Sequence, residues 1–191
     1  MTVVILGQSN AEKEKLGPVI CKLAGEKYGT ATLAPVSKPE AQNITFYKYE
    51  TPDRIYTLAD SAIHTDLVNG LTDGTIKPDA AVLVVHGEVG TTGQIRNQLL
   101  TAHNLDIPID IIFMISGVLA DDPADTLSLV EEEIRGVLFD YEFEGFECEV
   151  FRTAYSEPDT NGDELVEAWR DAALKLINAL EERYSILRMM S

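Results

Sequence analysis

Three apolar runs constrain this chain more than anything else in it: Val3-Val4-Ile5-Leu6, Ala80 to Val85, and Ile109 to Ile115. None of them alternates with polar residues, so each reads as a strand buried on both faces. Strands of that kind sit in the middle of parallel sheets whose two sides are covered by helices. Between the first and second runs the pattern changes. Ile44 to Tyr49 alternates, Thr51-Pro52-Asp53 turns, and Arg54 to Asp60 runs back, which is the pattern of an antiparallel hairpin. A last short strand includes Cys148, Val150 and Phe151.

Helical spacing fills the intervals. Leu16, Val19, Ile20, Leu23 and Ala24 recur at i, i+3, i+4 and i+7, as do Leu127, Val130, Ile134 and Leu138. From Asp163 onward Leu165, Val166, Trp169, Ala173, Leu176, Ile177 and Leu180 share one side, with Asp163 or Asn161 as N-cap. Shorter helices are expected near 64–74 and 92–104. The sequence therefore predicts an α/β fold: a doubly wound, mostly parallel sheet of about six strands, the second antiparallel, with helices on both faces. The length of 191 residues suits one domain spanning 1–191.

Charge narrows the function. Fifteen Lys and Arg stand against 32 Asp and Glu, a net charge of −17. Such a surface repels nucleic-acid backbones and anionic membranes alike, so neither is expected as a partner. No apolar run is long enough to span a bilayer, and the N-terminus has neither the basic flank nor the cleavage site of a signal peptide. Cys21 and Cys148 read as buried free thiols rather than a disulfide framework. A cytoplasmic location is the expectation.

From Tyr49 the order of residues resembles the GTPase domain of bacterial elongation factor Tu. The likeness is carried by Tyr49-Glu50-Thr51-Pro52-Asp53-Arg54-Ile55-Tyr56, by Asp60 and His64 with Asp66 and Val68, and by Val82 to Val85. It continues through Gln94-Ile95-Arg96 with Leu99-Leu100, Ile111-Ile112-Phe113, Asp121-Asp122, and Leu129 to Arg135 leading to Leu138, Tyr141, Phe143 and Gly145. With fewer matched residues it extends from Val3 to about Tyr184. The stretch between Tyr28 and Thr45, where the family has its first switch, is shortened. The family's two following β-barrels have no counterpart in this sequence.

The resemblance implies a P-loop fold, and GTP or GDP with magnesium as ligand if the motifs are intact. The phosphate loop G-x-x-x-x-G-K-[ST] reads Gly7-Gln8-Ser9-Asn10-Ala11-Glu12-Lys13-Glu14. Gly7 and Lys13 match. Glu12 takes the place of the second glycine and Glu14 that of the hydroxyl, and two carboxylates would face a polyphosphate. At 4–5 Å each like-charge pair costs about 3–4 kcal/mol at an effective dielectric of 20. Read without a ligand, the segment is a loop-to-helix junction: Ser9-x-x-Glu12 has capping-box spacing, and Pro18 places the helix start at Gly17-Pro18. The switch threonine matches Thr45. D-x-x-G reads Asp60-Ser61-Ala62-Ile63, so the aspartate is present and the glycine is not. His64 matches the histidine that orients the attacking water. The guanine motif N-K-x-D reads Ile115-Ser116-Gly117-Val118, and Val118 accepts no hydrogen bond from a base. The supporting [ST]-A motif reads Thr153-Ala154.

The cofactor-binding remnants are thus Gly7, Lys13, Thr45 and Asp60, His64 is the one catalytic candidate, and no metal site is expected. Three functions follow. The first is a non-catalytic relative that acts through protein contacts linked to translation, needs no cofactor and has a protein partner. The second is a divergent nucleotide binder or slow GTPase using GTP or GDP with magnesium. The third is an unrelated metal enzyme on the old pocket, built from Glu12, Glu14, Asp60, His64 and His86. The apolar tail Ile186 to Met190 closes the core or meets a partner.

Overall fold

The computed structural model describes residues 1–8, 11–30, 35–37, 43–116, 124–154 and 167–186. β1 (Thr2–Gly7), β4 (Ile55–Ser61), β5 (Ala80–His86), β6 (Ile109–Ser116) and β7 (Glu149–Ala154) run parallel, and β3 (Ile44–Glu50) lies antiparallel to β4. These are the six expected strands. A two-residue strand, β2 (Val36–Ser37), pairs with β3 at the edge, giving the order β2-β3-β4-β1-β5-β6-β7. The chain leaves β1 toward one edge and returns to its other side at β5. The sheet therefore has its switch point at the C-terminal end of β1, where sheets of this kind bind ligands.

The missing alternation in the apolar runs follows from two cores. Val3, Ile5, Val82, Val84, Ile111, Phe113 and Ile115 point toward α1 (Ala11–Tyr28) and α5 (Glu167–Ile186). Val4, Leu6, Leu83, Val85, Ile112 and Met114 point toward α2 (His64–Thr72), α3 (Gly93–Asn104) and α4 (Ala124–Asp140). Successive side chains enter opposite layers. In the hairpin, Tyr49 and Tyr56 face each other across the register and stack at 4.8 Å beneath α5. Thr51 Oγ1 closes the turn by accepting from the N–H groups of Asp53 and Arg54 at 3.3 and 3.2 Å.

One boundary departs from the sequence reading. α1 begins at Ala11 rather than at Gly17-Pro18, and Pro18 lies inside it. The missing N–H removes one helical hydrogen bond. Burial of Lys13 and Leu16 holds the first turns regardless, while the proline itself faces solvent. Ser9 of the capping box, the N-cap candidates Asn161 and Asp163, and tail residues 187–190 lie outside the described residues. Cys21 and Cys148 are buried free thiols, and burial pushes both up to about 11. Among the described residues no helix is long and apolar enough to cross a membrane.

Candidate functional site

The end of β4, the start of β3 and the first turns of α1 bring together Lys13, Thr45, Asp60 and Ser61, while Gly7 ends β1, the neighbour of β4, and contacts Gln98 and Val84. Lys13 lies in the first turns of α1, and Asp60 lies next to last in β4, the neighbour of β1. Their side chains form a closed ion pair: Lys13 Nζ donates to Asp60 Oδ1, and also to the Ser61 carbonyl at 3.1 Å. Lys13 is wholly buried and Asp60 only 3% exposed. Asp60 Oδ1 further accepts the Ser61 N–H at 2.8 Å. Burial pushes the Asp60 carboxyl above its ordinary value. Lys13 and the Ser61 N–H pull the other way, and Glu14 adds to the rise.

Outside this pair is a cleft of about 230 Å³ lined by Glu14, Asn43, Thr45, Tyr47, Asp60, Ser61, Ala62 and Ile63. Thr45 lies opposite Asp60 in the hairpin register. Glu14, at the hydroxyl position of the phosphate-loop pattern, is exposed at the rim, and Glu12 is half-buried. Ile63, at the glycine position of D-x-x-G, is the extended residue that precedes α2, and its side chain is exposed. Its N–H donates to Ser61 Oγ at 3.1 Å.

His64 takes part in a different chain of contacts. The Gly7 N–H donates to Gln98 Oε1 at 2.6 Å, which fixes the direction of that amide. Gln98 Nε2 therefore faces His64 Nδ1, 3.0 Å away, and Asn97 Nδ2 lies 3.3 Å from the other ring nitrogen. An amide N–H directed at Nδ1 requires an unprotonated nitrogen there, so the ring is neutral. Burial also lowers its pKa. A nuclear magnetic resonance titration of the His64 ring should give a midpoint below the ordinary value of about 6.5. Gln98→Glu should raise that midpoint by about 1–3 pH units, because a carboxylate accepts from the charged ring. Stability from a neutral His64 is held above about pH 6.5 and declines as pH falls from there through the folded-state value. Gln98 was not legible as a site residue: nothing in its spacing marks it, and its role follows from α3 packing beside β1.

The remaining candidates lie apart. His86 ends β5 with Nδ1 3.0 Å from Glu88 Oε2, off the angle of a hydrogen bond. Ile115 and Ser116 lie in register with Thr153 and Ala154 at the ends of β6 and β7. Gly117, Val118, Asp121 and Asp122 are outside the described residues. Glu12, Glu14, Asp60, His64 and His86 do not converge, and among the described residues no group of three or more His, Cys, Asp or Glu is placed to hold a metal.

This strand order, with the phosphate-loop segment at the switch point and D-x-x at the end of the adjacent strand, is that of a P-loop GTPase. The sequence matches the elongation factor Tu GTP binding domain over residues 37–180. The chain belongs to this family. It has a translational-GTPase-like G domain, in a family named for GTP. The match begins beyond Gly7 to Glu14, so that segment is related to the family's phosphate loop by its place between β1 and α1. Thr45, Asp60 and His64 lie within the matched residues.

Proposed function

We propose that this G domain is a pseudo-GTPase that works through protein contacts, linked to translation, rather than through nucleotide turnover. The observation that carries the reading is the Lys13–Asp60 pair. To reach a phosphate, Lys13 must leave Asp60, and breaking a buried pair leaves an uncompensated charge at a cost of about 3–5 kcal/mol. That cost alone weakens a ligand by about 10²–10⁴-fold. The incoming phosphates would then meet Glu14 at the rim, with Glu12 beside it, in place of a hydroxyl and a glycine. The residues present do not fit a magnesium nucleotide. His64, turned inward onto Gln98, has no role in water activation under this reading.

Isothermal titration of the full chain with GTP and with GDP, each with magnesium, is the direct test. No heat of binding is expected with protein and ligand both in the tens of micromolar range. Saturable binding of either nucleotide at micromolar concentration overturns the reading. The competing view, a divergent nucleotide binder, draws on the presence of Gly7, Lys13, Thr45, Asp60 and His64. It requires that such binding exist and vanish in Lys13→Ala.

A further inference from the structure

The turn after α4 is clamped against its own helix. Arg135 Nη1 donates to the carbonyls of Gly145, Phe146 and Cys148 at 2.7, 3.2 and 2.9 Å. Its other nitrogens hold Glu131 at 2.9 Å, and Arg152 holds the same carboxylate at 2.6 Å. Gly145 fits so closely that a Cβ there would overlap the Arg135 carbonyl oxygen. This clamp presents Phe146 beside Phe139 of α4, with ring centroids 5.9 Å apart. Neither ring belongs to a core; they are 66% and 65% exposed. Single exposed apolar residues need no explanation, but two large rings held together at the surface by a built turn do.

The surroundings give the partner's chemistry. Glu132, Asp140, Glu142, Glu144 and Glu147 are exposed on the same helix and turn. Among the described residues, Arg135 is occupied by Glu131 and the carbonyls, Arg152 by the same Glu131, and His103 lies 3.8 Å from Glu142 and edge-on to Phe143. The turn also lines a cleft of about 270 Å³, large enough for a lysine or arginine side chain; Asp110 there already meets Arg183 and accepts from Tyr184, so the acid character of the cleft rests on Asp106, Glu142 and Glu144. An aromatic centre with an acidic rim is the complement of a basic, amphipathic protein segment. A second copy would bring acidic rim onto acidic rim, between chains of net charge −17. Anionic lipid is repelled for the same reason.

We propose that Phe139 and Phe146 dock a basic amphipathic segment of a partner protein. A large apolar side chain lies on the two rings, and lysines or arginines meet the surrounding carboxylates. This supplies the partner chemistry for the contact function proposed above and rests on that reading; nucleotide titration tests that reading by itself, so the two can fail separately. The probe is a fluorescein-labelled amphipathic helical peptide of leucine and lysine, titrated with the full chain by anisotropy. Amide chemical shifts should move at Phe139, Phe146 and the 141–147 turn. A peptide of the same charge with alanine for leucine should bind more weakly. The Phe139→Ser, Phe146→Ser double variant should lose about tenfold or more in affinity at an unchanged melting temperature. Glu144→Lys with Glu147→Lys, confined to solvent-facing positions, should weaken binding and flatten its salt dependence, and it keeps the test decisive if the first variant misfolds. Equal affinity for the Phe variant, shifts confined to another surface, or a dimer that the Phe variant dissolves would each overturn the proposal.

Discussion

Lys13→Met is expected to lower the unfolding free energy by about 3–5 kcal/mol, because it leaves the Asp60 carboxylate buried beside an apolar side chain. The wild-type pair has almost no solvent to share the charge, with Lys13 wholly buried and Asp60 3% exposed. Urea denaturation of the variant should show a lower midpoint with an unchanged slope. The double variant Lys13→Met, Asp60→Leu should recover most of the loss, since replacing a buried pair by apolar groups is often neutral. The cycle then isolates the coupling between the two residues. In the single variant the penalty should shrink as pH falls. The folded-state Asp60 value already lies above the ordinary carboxylate value, because burial dominates, and losing Lys13 raises it further. The folded form therefore takes up its proton before the unfolded form does, and stability relative to wild type improves toward acid pH. A lysine serving only a ligand behaves differently: its loss removes binding and leaves the fold intact. A variant as stable as the parent would show that Lys13 is not structurally committed to Asp60.

The framework was legible in the sequence because burial on both faces leaves a signal that does not depend on distant residues. Ala80 to Val85 is apolar throughout since each side chain meets one of two helical layers, and the hairpin at 44–60 stands out since its pattern differs. The site was legible only as a set of positions. Lys13 and Asp60 are 47 residues apart, and their pairing follows from β4 lying beside β1, which spacing does not encode. The same holds for His64, whose partners Asn97 and Gln98 come from α3. Pro18 failed for the opposite reason. A local rule was sound in itself, but burial of Lys13 and Leu16 on the preceding turns outweighed one lost hydrogen bond. The aromatic pair at 139 and 146 was hidden because each Phe sits in a segment that also feeds the core, and only accessibility separates Phe139 from Leu138.

Gly7→Ala is expected to cost about 3 kcal/mol or more, and it bears directly on why a glycine stands at this position. Its φ of +134° is one that side chains rarely adopt, and an added Cβ would overlap the carbonyl oxygen of Val84, its register partner on β5. Backbone strain contributes about 1–3 kcal/mol, and the overlap falls on a central strand that cannot give way. In a phosphate cradle such a glycine admits the ligand; here the neighbouring strand already requires it. The substitution also has a remote consequence. Gly7 N–H directs Gln98 Oε1, and Gln98 in turn presents its N–H to His64. Displacing the end of β1 should release that amide, and the His64 titration midpoint should rise toward about 6.5. Denaturant unfolding and the histidine titration on one variant therefore test the packing role and the relay together. If Gly7→Ala is tolerated within about 0.5 kcal/mol, strand packing is not what requires the glycine, and the case for a cradle shaped around a ligand regains its strongest residue; a His64 midpoint that does not move would show instead that the contact through Gln98 does not set it.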